Sequence, residues 1–122
     1  MNINKYPEIK KAIKKYHSYG GELEKLYSKI EKLNAKGVRD DKLSKKFDDL
    51  RKEMQLFKLN ELPKIVFKNL NKDKPDILEK KTGKVYSWES FFRGSYDDIA
   101  KDEKKRMMLF GLALEVGPYK LK

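Results

Sequence analysis

The chain has no cysteine and only one histidine, His17, among its 122 residues. Without Cys there is no disulfide framework, no thiolate metal site and no Cys nucleophile. One His alone falls short of a structural zinc site, and nothing in the sequence singles out the carboxylate and nucleophile that a general base would need. Long apolar runs are missing too. The longest, 107–114 (Met-Met-Leu-Phe-Gly-Leu-Ala-Leu), is far shorter than the roughly 20 residues that cross a bilayer. The N-terminal stretch lacks the apolar core of a secretory signal. Glycine-rich phosphate loops, Ser-based triads and His-Glu-x-x-His motifs are absent. These absences predict a cytoplasmic protein that is not an enzyme, takes no cofactor or metal, and does not enter a membrane.

What the sequence has in excess is positive charge. Lys and Arg number 30 against 19 Asp and Glu, a formal net charge of +11. Solubility accounts for a net charge of only about 2–8 in a small domain. An AT-rich genome raises Lys without functional pressure, but it raises Glu alongside, and here the basic excess survives. The charge predicts an anionic partner: nucleic acid, or a nucleoprotein such as a nuclease complex. It excludes a nucleic-acid mimic, which needs the opposite sign. Residues 1–62 carry 16 basic and 10 acidic side chains and residues 63–122 carry 14 and 9, so there is no detachable basic tail. The 7 Tyr, 6 Phe and single Trp argue for a folded chain.

The apolar residues recur at helical spacing through the first half. A first helix is expected from Pro7, with Ile9, Ala12, Ile13 and Tyr16 on one face and Lys10, Lys11, Lys14 and Lys15 flanking them, ending at Gly20-Gly21. A second is expected over 22–36, with Leu23, Leu26, Tyr27, Ile30 and Leu33 as its stripe and Gly37 as its stop. Asp40 or Asp41 then caps a third, striped by Leu43, Phe47, Leu50, Met54 and Phe57. The last two read as an antiparallel helical hairpin preceded by a short leading helix.

After Pro63 the pattern changes. Ile65-Val66-Phe67 suits a strand, or a helical turn started by the proline. Segments 76–79 and 85–88 around the polar loop Lys80-Lys81-Thr82-Gly83-Lys84 read as a β-hairpin. A long last helix is expected from Ser95 to about Val116, stopped by Gly117-Pro118, with Tyr119-Lys120-Leu121 as an edge strand. Its apolar run, apolar nearly all round, belongs at the centre of the fold or at a subunit interface. The expected architecture is therefore α+β and mostly helical in a single domain, with a small antiparallel sheet backed by the long C-terminal helix. The stripes and the apolar run together predict self-association into a homo-oligomer such as a dimer.

Candidate binding residues follow from the basic clusters. They are Lys10, Lys11, Lys14 and Lys15 on the first helix, Lys80, Lys81 and Lys84 in the hairpin loop, Arg93, and Lys104, Lys105 and Arg106 on the last helix. The second and third sets interleave with Tyr86, Trp88, Phe91 and Phe92, a mixture that combines phosphate attraction with stacking on an exposed base; Tyr86 and Trp88 equally suit the core face of a sheet. These features fit a non-enzymatic accessory factor of a phage or mobile element, one that binds nucleic acid or inhibits a host-defence nuclease. An adaptor acting through its helical hairpin is the alternative. Finally, Pro75-Asp76 followed by Glu79-Lys80-Lys81 resembles the Pro-Asp…Asp/Glu-x-Lys signature of restriction-type nucleases. The resemblance covers only these few residues, and the signature's acidic positions stand farther apart, on successive strands. A metal-dependent nuclease is the lesser alternative.

Overall fold

The computed structural model describes residues 3–122; Met1 and Asn2, at the start of the stretch read for a secretory signal, lie outside the described residues. The fold is α+β and mostly helical. After a short 3-10 turn at Ile3–Lys5 come α1 (Pro7–Ala35) and α2 (Asp41–Leu56), followed by a π-helical turn (Phe57–Glu61) and α3 (Leu62–Asp73). Then come β1 (Ile77–Glu79), β2 (Val85–Tyr86), a 3-10 turn (Trp88–Ser90), α4 (Tyr96–Ala100), α5 (Glu103–Leu114) and β3 (Tyr119–Leu121). Among the described residues no helix is long and apolar enough to cross a membrane.

Three expectations are corrected. First, the leading and second helices are one helix of 29 residues, and Gly20-Gly21 lies inside it. Tyr19 and Leu23, on either side of the glycines, are both buried, so tertiary packing outweighs the roughly 1 kcal/mol that each Gly costs a helix. Second, of the two readings of Ile65-Val66-Phe67, the strand gives way to the helix, with Pro63 in its first turn. Leu62, Val66 and Leu70, four residues apart, have no exposed surface at all, and this stripe fixes α3. Third, the long C-terminal helix is two. The Asp102 carboxylate accepts from the Lys104 N–H at 2.9 Å, and this local bond ends one helix and caps the next.

Helix ends follow local chemistry. Asp40 caps α2 by accepting from the Leu43 N–H at 3.1 Å. Gly37, at φ 73°, ends α1, with Val38 N–H reaching the Leu33 carbonyl at 2.9 Å and Gly37 N–H the Asn34 carbonyl at 3.0 Å. α1 and α2 run antiparallel: Tyr27 meets Phe47 with ring centroids 6.3 Å apart, while the Tyr19 hydroxyl reaches Glu53 at 3.1 Å. From Asp41 to Asp73 the backbone stays helical through Pro63.

The sheet has the order β2-β1-β3, antiparallel throughout, with Ile77 opposite both Tyr86 and Leu121 and Glu79 opposite Tyr119. Paired residues share a face, so Ile77, Tyr86, Tyr119 and Leu121 lie on the same side. The core gathers Ile9, Ala12, Leu62, Val66, Leu70, Ile77, Trp88, Phe92, Ile99, Leu109 and Leu112. Trp88 is 1% exposed; its indole N–H donates to Asn71 Oδ1 at 2.9 Å and its ring lies 4.4 Å from Phe92.

Candidate functional site

The cap at Asp102 sets the first turn of α5, and with it the directions of Lys104 and Lys105. Two turns on, α5 ends where Glu115 takes a left-handed conformation (φ 58°) and the Val116 N–H bonds the Gly111 carbonyl at 3.0 Å. This closure turns the chain back along the helix. It also explains Gly111, because a Cβ there would stand 2.8 Å from the Val116 carbonyl oxygen. The returning segment, Val116 to Tyr119, then faces α5 across a groove of about 590 Å³. Phe91, Met107, Met108, Val116, Pro118 and Tyr119 give it an apolar lining, and Glu103, Lys104 and Lys105 line it from the first turn of α5.

From this groove a strip of aromatic rings leads across the sheet. Tyr119 lies 5.3 Å from Phe91, Phe91 lies 5.0 Å from Tyr86, and Lys84 Nζ sits 4.9 Å from the centre of the Tyr86 ring. All three rings are half-buried, with their edges supported by the core. Partial burial, reinforced by the charge and hydrogen bond of Glu79, pushes the Tyr119 phenol up from its ordinary pKa and keeps it a neutral donor. The aromatic doublet is divided: Phe92 is 1% exposed in the core, whereas Phe91 joins the strip.

The fold thus brings Lys84, Lys104 and Lys105 together along one strip with Tyr86, Phe91 and Tyr119. Among the described residues, none of these lysines pairs with a carboxylate. The other candidates stand apart. Lys81 is exposed in the hairpin turn, and Lys80 lines a separate hollow with Glu115 and Lys120. Arg93 is exposed and helps Lys74, its neighbour's main partner, to hold the Glu89 carboxyl below its ordinary pKa. Lys10, Lys11 and Lys14 are exposed on α1, while Lys15 reaches Glu61 at 3.9 Å and the Phe57 ring at 4.8 Å. Arg106 turns inward, donating from Nη1 to the Leu59 carbonyl at 3.2 Å and to Asn60 Oδ1 at 3.1 Å.

His17 is exposed beside the Tyr16 ring. Asp76 is exposed, and Glu79 accepts from the Thr82 hydroxyl. Among the described residues no three His, Asp or Glu side chains gather where a metal ion would sit. The sequence did not mark Val116 and Pro118 as site residues, because their role arises from the chain reversal at Glu115 and not from any motif. Comparison with known proteins yields no matching family model, no similar curated protein and no similar solved structure.

Proposed function

We propose that the protein is a non-enzymatic binder of nucleic acid that engages a single strand. Lys84, Lys104 and Lys105 take the phosphates, and an unstacked base lies against Phe91 and Tyr119 at the mouth of the groove. The observation that carries this reading is the unbroken line of ring contacts between Lys84 and the groove that Lys104 and Lys105 line. Rings beside unpaired lysines supply the two contributions that single-strand binders combine, stacking and phosphate attraction. The net charge of +11 adds long-range attraction. A duplex cannot use the rings, since its bases are already stacked and paired. In the setting that the composition suggests, the protein is an accessory factor of a phage or mobile element, and a host-defence nuclease is a complex whose nucleic acid it would occupy.

The test is fluorescence anisotropy with labelled single-stranded DNA, RNA and duplex DNA. Phe91→Leu and Tyr119→Leu keep apolar volume and remove the ring. Stacking worth about 1–3 kcal/mol per base predicts a loss of single-strand affinity of roughly 5- to 150-fold, with duplex binding nearly unchanged. Equal loss on both substrates, or none on either, would rule out base contact at this strip.

A further inference from the structure

The arm formed by the outer parts of α1 and α2 leaves a half-covered apolar seam. No residue of α2 is buried, although it carries the regular stripe Leu43, Phe47, Leu50 and Met54. On the facing helix Ile30 and Leu33 are only half-buried. Leu23 and Leu26 are buried between the helices, but they lie outside the main core cluster, as do the half-buried Ile30, Leu33, Leu43 and Phe47. Beside this seam Tyr27 is 53% exposed, with its ring 6.3 Å from Phe47. A third or fourth helix laid along such a seam would cover the flanks that two helices leave open, as in helical bundles.

The charge on the arm points to what covers it. Residues 22–56 carry 10 Lys and Arg against 8 Asp and Glu, net +2, whereas the remaining residues carry 20 against 11, net +9. The body of the protein repels a copy of itself, and the arm scarcely does. An anionic partner would gain little from the arm and much from the body. Mixed signs flanking a stripe at heptad spacing are the pattern of helices that pair with their own kind. We infer that the arm docks against the arm of a second copy of this chain, and that the four helices close a bundle around Leu33, Leu43 and Phe47. This dimer is independent of the nucleic-acid reading, because the strip and the arm share no residue.

The 16 residues of α2 span about 24 Å, and two helices present a face about 20 Å wide, so each copy offers on the order of 500 Å² of flat area. That is below the roughly 800 Å² per partner of a standard interface, and it predicts a weak, reversible dimer.

Sedimentation equilibrium of the full chain from 1 to 200 μM decides the matter. The expected result is a mass that climbs from monomer toward twice monomer across this range. Tyr27→Glu, at a position largely exposed in the monomer, and Phe47→Glu should hold the protein at monomer mass. Circular dichroism of Tyr27→Glu should be unchanged, which separates lost docking from lost folding. Monomer mass at every concentration overturns the inference. So does a rising mass that Tyr27→Glu leaves untouched, since the interface would then lie elsewhere. A monomer that instead binds nucleic acid or another protein through the arm overturns it as well.

Discussion

Arg106 donates to the carbonyl of Leu59, the residue four positions before Pro63. Proline has no N–H, so a helix that passes through it leaves a carbonyl of the preceding turn without its usual donor. Around this gap the helix widens into a π turn, in which the Leu62 N–H reaches back to the Phe57 carbonyl. The next carbonyl, of Asn60, accepts from the Tyr96 hydroxyl at 3.3 Å. Side chains of α4 and α5 thus supply the donors that the backbone lacks, and they pin the C-terminal elements to the long helical rod. Arg106→Ala should lower stability by about 1.5–3 kcal/mol in urea unfolding, the range for hydrogen bonds to a charged group. In a Pro63→Ala background the new N–H can take the Leu59 carbonyl, and the same substitution should cost about 1 kcal/mol less. Strict additivity of the two changes would contradict this coupling.

Two sets of glycines predict opposite outcomes for the same substitution. Gly20 and Gly21 lie within α1, and a Cβ at either position would meet nothing within 4 Å. Gly20→Ala and Gly21→Ala should each stabilise the protein by about 1 kcal/mol through helix propensity alone. At Gly111 the added methyl would meet the Val116 carbonyl at 2.8 Å. Gly111→Ala should therefore destabilise by about 1–3 kcal/mol, as overpacking does, and it should disturb the groove. Thermal melts of the three variants check both signs.

Alkaline pH should loosen the first helix. Burial, then the hydrogen bond to Asp73 and that residue's charge, raise the Tyr6 pKa from 10.0 to about 12. The neutral phenol is favoured in the folded state, so its contribution is complete below pH 10 and is lost as pH rises toward 12. Urea midpoints measured from pH 8 to 12 should fall over that window, and Tyr6→Phe, which has no proton to lose, should show a smaller fall. Equal falls in both proteins would mean that other groups carry the alkaline transition.

The sequence announced some of this and concealed the rest for identifiable reasons. Helical stripes were readable wherever the buried face repeats regularly, as at Leu43, Phe47, Leu50 and Met54. Gly20-Gly21 misled because local propensity opposes the helix, while the buried Tyr19 secures it through Glu53 and Phe57, both distant in sequence. Ile65-Val66-Phe67 stayed open between strand and helix because its β-branched composition masked the four-residue spacing of Leu62, Val66 and Leu70. At the site, Lys84 stood out beside the aromatics Tyr86 and Phe91, and Lys104 and Lys105 stood out as a separate basic run. Nothing in the sequence joined the two groups, since they meet only through Tyr119, carried back by a reversal whose left-handed residue is a glutamate and not a glycine. Arg106 looked like its neighbours Lys104 and Lys105, yet one helical step turns it inward to the Leu59 carbonyl.

The salt dependence of single-strand binding tests the central claim most directly. If Lys84, Lys104 and Lys105 each neutralise a phosphate, log affinity for single-stranded DNA should fall with log salt at a slope of about −2, at roughly −0.7 per contact. Replacing all three with Glu should remove most of that slope and most of the affinity, with Lys10→Glu and Lys11→Glu as controls that leave both nearly intact. A wild-type slope near zero, or one that the triple variant retains, would contradict the account.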